Sequence, residues 1–305
     1  MKKNRSRRTI AAGLSLALII WAASPSAEEM KDDLQLKRAT ASLIKRIDPD
    51  SLAAAGLLSV WIDQQSALAL IARATEAEPV RADLAWLEAQ VCRGITSCDP
   101  EPIERRLREL DPTNGAGWLG ALARANTARN DEATDAALVA IGRSDRVDIY
   151  WTTLIARLSR ATEQTKAMSL SDAEVLIIGI LAAHAIPAYS AAPNACKGER
   201  LQRAAILEAC RGVAKALERG DTYITEMIGV AIAKRVWPEG SPEWKVATEA
   251  RRAYEYRSKF WAALDVRDTS HADEFLTLCA KNRREQDVLL AQLIAAGKNP
   301  NPPSE

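Results

Sequence analysis

The chain has 305 residues and a formal net charge of +1, its 41 lysines and arginines nearly matched by 40 acids. That balance leaves no domain-scale positive field and excludes a surface built to follow nucleic-acid phosphates. Alanine fills 56 positions against 14 glycines and two phenylalanines. The bias favours close-packed helices, and runs with period-two alternation are scarce, so the expected class is all-α.

Residues 1–27 read as an export signal. Lys2, Lys3, Arg5, Arg7 and Arg8 precede the uncharged stretch Thr9–Ala23, and Ser24-Pro25-Ser26-Ala27 supplies small residues before Glu28 and Glu29. The apolar core is about 15 residues, short of the roughly 20 that span a bilayer. Cleavage is expected near Ala27; cleavage after Ser26 and retention as an N-terminal anchor stay open because Pro25 sits close to the cut. Ser6-Arg7-Arg8-Thr9-Ile10 also resembles a twin-arginine start, although an ordinary basic n-region accounts for it. Removal of the signal takes away five basic and no acidic residues, moving the charge to −4.

The first hairpin is expected to open at Asp48-Pro49, with Ala67, Leu70, Ile71 and Ala74 on its second helix. Boundary dipeptides then recur at Glu78-Pro79, Asp111-Pro112 and Ser144-Asp145. Each is followed six or seven positions later by a tryptophan: Trp86, Trp118 and Trp151. In the unit from Pro79, Ala82, Trp86 and Ala89 share a helical face that ends at Cys92. Asp99 caps the next helix, Pro100 enters it, and Ile103, Leu107 and Leu110 face inward. The unit from Pro112 places Trp118, Ala121, Leu122 and Ala125 on one helix and Ala133, Ala137 and Ile141 on the next. Trp151 begins a further copy through Leu154, Ile155 and Leu158.

Over about residues 48–160 these residues resemble a degenerate tetratricopeptide repeat, a helical-hairpin unit with a tryptophan early in its first helix and small residues between helices. Leu122, Gln90 and Ile155 depart from the family's preference for glycine or alanine at one position. The resemblance implies antiparallel helical hairpins stacked as an α-solenoid over residues 28–160, with a concave side that takes peptides or protein segments. The tryptophans are read as packing at hairpin interfaces before ligand contact.

A less regular helical region is expected over residues 161–298. Ser171-Asp172-Ala173-Glu174 resembles a capping box before the apolar run Val175–Ile186, which Pro187 should terminate. Residues 188–197 are expected to be loop. Helices over about 199–219 and 222–236 flank the turn Gly220-Asp221, Ser241 caps a helix entered at Pro242, and a last helix runs over about 272–296. Residues 299–305 are expected to be a disordered tail.

Five cysteines in an exported chain point to disulfides. Cys92 with Cys98 and Cys196 with Cys210 are the expected pairs, contributing about 2.4 and 3 kcal/mol by loop closure. Cys279 is left over. A metal site would need more ligands than two distant histidines and no C-x-x-C provide.

No G-x-S-x-G, H-E-x-x-H or phosphate-cradling loop is present, so neither catalytic residues nor a cofactor are expected. His184 reads as a hydrogen-bonded histidine at a helix end, and His271 as part of a helix start. The distinctive surface stretch is Arg251-Arg252-Ala253-Tyr254-Glu255-Tyr256-Arg257-Ser258-Lys259-Phe260-Trp261. Arginine and tyrosine favour binding hot spots, so Arg251, Arg252, Tyr254, Tyr256 and Arg257 are candidate contacts to a partner peptide or an anionic glycan; an amphipathic helix with Trp261 inward is the plain structural alternative. The expected function is a periplasmic or secreted, non-enzymatic helical-repeat protein that binds a protein or peptide in the cell envelope. The alternative is an exported wall-acting hydrolase or lyase using a lone buried acid.

Overall fold

The computed structural model describes residues 27–261 and 269–303; residues 1–26 of the expected 1–27 signal lie outside them. Among the described residues the regular structure is helical throughout. The helices are α1 (Ala27–Leu43), α2 (Pro49–Ser59), α3 (Gln64–Ala77), α4 (Ala82–Arg93), α5 (Glu101–Leu110), α6 (Leu119–Thr127), α7 (Asp131–Gly142) and α8 (Trp151–Glu163). They continue with α9 (Leu170–Tyr189), α10 (Ala191–Ala195), α11 (Ala204–Glu218), α12 (Tyr223–Val236), α13 (Pro242–Trp261), α14 (Thr269–Lys281) and α15 (Glu285–Ala295). Two 3-10 turns, Gly115–Trp118 and Gly198–Gln202, interrupt the series.

Side-chain oxygens start many of these helices by accepting orphan backbone N–H groups. Asp48 accepts from Ser51, Asp63 from Ser66, Asn130 from Ala133 and Thr222 from Thr225. The expected starts at Pro49 and Pro242 hold. Three other signals act at shifted positions. Asp99 accepts from the Glu101 N–H, so α5 begins after Pro100. Ser169, two residues before the predicted box, caps α9 and exchanges hydrogen bonds with Asp172. On α7 Ala133 is exposed, and Thr134 turns inward instead with its hydroxyl on the Asn130 carbonyl.

The adjacent pairs α2/α3, α3/α4, α4/α5, α6/α7 and α11/α12 pack together. Their interfaces bury Ala67, Leu70, Ile71 and Ala74 as expected. Contacts between distant elements accompany them: α8 lies against α2 and α14, and α7 lies against α11. A one-dimensional stack confines contacts to neighbours, and within residues 28–160 the α2–α8 contact reaches further. The all-α class stands, while the expected α-solenoid stacking is not established by these contacts.

Nor do the three indoles hold equivalent places. Trp86 is the fifth residue of α4 and 1% exposed, whereas Trp151 is the first residue of α8 and 9% exposed. Trp118 closes a 3-10 turn and is half-buried, with the Arg108 guanidinium 4.3 Å above its ring. The 3-10 turn occupies residues that an uninterrupted hairpin would give to helix.

α7 and α11 cross at two glycines. A Cβ at Gly212 would stand 2.3 Å from the Gly142 carbonyl oxygen, and one at Gly142 would stand 2.6 Å from that of Ala209. The backbones touch directly, and no side chain fits between them.

Further along, α9 continues through position 187 to Tyr189, and α10 occupies part of the expected loop. A proline in the last turn removes one intrahelical bond, and α9 closes two residues later. The expected last helix is two, α14 and α15. They part because Arg283 turns to Asp148, Arg284 donates to the Gly220 carbonyl, and the Glu285 N–H donates to the Asp221 carbonyl.

Both expected disulfides form. Cys92–Cys98 has Cα atoms 5.4 Å apart and Cys196–Cys210 has them 5.7 Å apart. Cys279 is a buried free thiol whose pKa burial pushes up. No described helix is long and apolar enough to cross a membrane.

Candidate functional site

Asp221 organises the region from which the site is built. It is fully buried, and its carboxylate accepts from the backbone N–H groups of Ile149 (3.0 Å) and Trp151 (2.9 Å), closing the start of α8. Tyr150 between them takes a left-handed conformation, φ 59°, which a non-glycine residue holds only when its surroundings over-determine it. Here its hydroxyl donates to Asp111 (2.9 Å), while Asn114 donates to it (3.1 Å). Asp148, 2% exposed, pairs with Arg146 (2.6 Å) and Arg283. Burial, with Asp148 nearby, pushes the Asp221 carboxyl up to about 8.

From that scaffold the chain returns through Glu285, whose carboxylate accepts the Tyr223 N–H (2.8 Å) and so caps α12. Burial raises its pKa, while the Tyr223 N–H and the Trp151 side chain favour the charged form. Beside it, Gln286 donates to the Thr222 carbonyl (3.0 Å) and to Glu226 (2.8 Å). The start of α12, and Tyr223 with it, is thereby fixed against α8 and α15.

Tyr223 and Tyr254 of α13 meet with ring centroids 5.3 Å apart at a 49° tilt. Three cavities of about 250, 410 and 580 Å³ share this pair as lining. The smallest reaches Trp151, Tyr189 and Glu285. The second is apolar along Met227, Ile228 and Val230 of α12 and ends at Arg251. The largest runs along α13 past Val246 and Ala250 to Arg257, with Asn301 and Pro302 on its far side. Together they make a groove between α12 and α13 whose centre is aromatic.

The five sequence candidates separate here. Arg251, Tyr254 and Arg257 line the groove. Arg252 lies outside the cavity walls and donates to the Pro303 carbonyl, and Tyr256 packs edge-on against Phe260, centroids 5.1 Å apart. The Trp261 side chain falls outside the described residues. Arg251 pairs with Glu255 (2.7 Å) and Arg252 with Glu249 (3.3 Å). Neighbouring carboxylates thus offset two of the arginine charges on this face.

The expected disordered tail, residues 299–305, is described as far as residue 303. Residues 299–303 lie along α13, and Arg257 donates to the Pro300 carbonyl at 2.9 Å. No local sequence signal marks that contact, because its two sides are 43 residues apart.

Buried acids elsewhere went unnoticed in the sequence. Glu104, 1% exposed, accepts two hydrogen bonds from Arg124 at 2.9 and 2.8 Å and lies 3.4 Å from Arg93. Glu174 on α9 is buried with Oε2 lacking a hydrogen-bond partner, and burial pushes its carboxyl up to about 7. His184 is corrected too: it sits inside α9, its Nε2 is buried without a partner, and burial lowers its pKa. Among the described residues no three His, Cys, Asp or Glu side chains gather as a metal site.

No protein-family model, curated protein or solved structure matches the chain. The functional reading therefore rests on the groove itself.

Proposed function

We propose that the protein is exported and binds an extended segment of a protein or peptide partner in the cell envelope, without chemistry of its own. The observation that carries this reading is the convergence of three cavities on the Tyr223–Tyr254 pair. Such a groove offers aromatic faces, an apolar wall and donors at its rim, the mixture on which peptide segments dock. The two disulfides suit an oxidising compartment. Affinity capture from the envelope fraction with residues 28–305, against a Tyr254→Ala control, tests the reading. Partners should be retained by the wild type and lost from the variant; identical recovery from both would overturn it.

A second reading has one observation in its favour. Glu285 is a carboxyl group of raised pKa on the wall of a cavity, the arrangement a lone-acid hydrolase or lyase needs. Against it, Glu285 already spends one oxygen as the cap of α12. Turnover of a peptidoglycan or ester panel that disappears in Glu285→Gln would establish the enzyme and displace the first reading.

A further inference from the structure

The C-terminal tail leaves α15 through a turn built to aim it. Gly297 has φ 68°, its N–H donates to the Ile294 carbonyl (3.0 Å), and the Lys298 N–H donates to that of Leu293 (2.9 Å). This pair of bonds, with glycine left-handed, ends a helix and reverses the chain. Beyond it Asn299 accepts the Asn301 N–H through its side chain at 3.0 Å, a local clamp on the following prolines.

The reversed tail runs antiparallel to α13. Arg257 donates to the carbonyl of Pro300, and Arg252, five residues earlier on the helix, donates to the carbonyl of Pro303. The chain bends at Asn301, between the two carbonyls, and both are met from α13. The two arginines stand five helical residues apart, a rise of about 7.5 Å. Both contacts are to backbone oxygens. They select the shape of the bound chain and leave its side chains open, apart from Pro302, which enters the largest cavity.

No tail residue lines the two smaller cavities. A longer peptide following the same line past Tyr254 would reach them.

We infer that the tail is an internal stand-in for the partner: Arg257 on the groove wall and Arg252 beside it take a proline-containing peptide by its carbonyls, and the tail competes for the same place. This rests on the peptide-binding reading above and names the class of peptide. Proline suits such a site because its fixed φ leaves less freedom to lose on binding. A competitor on the same chain acts at an effective concentration in the millimolar range.

The test uses the chain over residues 28–305 and a variant carrying Pro300→Gly, Pro302→Gly and Pro303→Gly. The probe is a fluorescent synthetic peptide of residues 297–305, Gly-Lys-Asn-Pro-Asn-Pro-Pro-Ser-Glu. Binding to the glycine variant should exceed binding to the wild type on the order of tenfold, as a tethered competitor at millimolar effective concentration implies. Arg257→Ala in the glycine variant should reverse that gain, and the milder Arg252→Ala should weaken binding with unchanged circular dichroism. Equal binding by wild type and glycine variant, or equal binding of a peptide with alanine in place of every proline, would overturn the inference. Concentration-dependent dimers of the wild type would assign the tail to a second copy and overturn it as well. A glycine variant that ignores the probe yet retains its Tyr254-dependent partners defeats the inference alone; loss of both defeats the peptide-binding reading with it.

Discussion

Asp221 gives the sharpest forecast. Asp221→Ala removes the acceptor for two buried N–H groups, those of Ile149 and Trp151, and leaves Tyr150 in its left-handed conformation with less to hold it. Each orphaned buried donor costs about 1–3 kcal/mol. Removal of a polar group from a desolvated site offsets part of that sum, so a net loss of ~3 kcal/mol is expected. Asp221→Asn keeps one acceptor oxygen and should lose about half as much, on the same scale per bond. For a chain of this size each kcal/mol moves Tm by about 2–4 °C, which places the alanine variant roughly 6–12 °C below the wild type in a circular-dichroism melt. The pH dependence has a fixed sign. A carboxyl group whose folded pKa is raised from 3.8 to about 8 contributes stability that is fully present below the unfolded value and is lost as pH rises through the folded one. The gap between wild type and Asp221→Asn should therefore narrow from pH 5 to pH 8.5. An asparagine variant as unstable as alanine, or a gap that widens with pH, would refute the capping account.

Gly212→Ala forces a Cβ to within 2.3 Å of a backbone oxygen that cannot swing away. The α7–α11 crossing should open at a cost of about 1–3 kcal/mol, read as a lower midpoint in urea. Glu104→Gln leaves Arg93 and Arg124 without their buried counter-charge; a loss of ~3 kcal/mol is expected, and an unchanged urea midpoint would show that pair to be idle. Burial holds Glu174 at about 7, above its ordinary 4.5, so stability should fall as pH rises from about 4.5 through 7. Glu174→Gln should flatten that part of the profile, and a parallel profile would remove Glu174 as its source. Native protein should show no fast thiol reaction with a colorimetric disulfide reagent, and the unfolded, unreduced chain should show one per molecule, from Cys279.

What could be read in the sequence was local. Asp48 before Pro49, Thr222 after a Gly-Asp turn and Ser241 before Pro242 are caps whose donors lie within four residues. Nearby cysteines also announced their partners, six and 14 positions apart. The shift from Ser171 to Ser169 shows the limit of that method, since both serines precede an acid by a few residues and only packing decides which turns outward. The equal spacing of Trp86, Trp118 and Trp151 was a true regularity of the sequence but not of the helices, because a four-residue 3-10 turn, Gly115–Trp118, takes in Trp118 itself. Half of the candidate site was visible as the Arg–Tyr cluster on α13. The other half, Tyr223, Glu285 and the tail, converges from segments that carry no mutual signal in the chain.

The caps around Asp221 close into a ring. Its carboxylate holds the first turn of α8, its carbonyl receives the Glu285 N–H, and the Glu285 carboxylate returns to the Tyr223 N–H just past Asp221. No link in such a loop can open alone without stranding the next. The amides of Ile149, Trp151, Tyr223 and Glu285 should exchange with solvent deuterium in one concerted opening, at a shared free energy, although more than 130 residues separate the first from the last. A partner that seizes Tyr223 would then stiffen the distant beginning of α8 as a matter of linkage, with no movement of the helices in between.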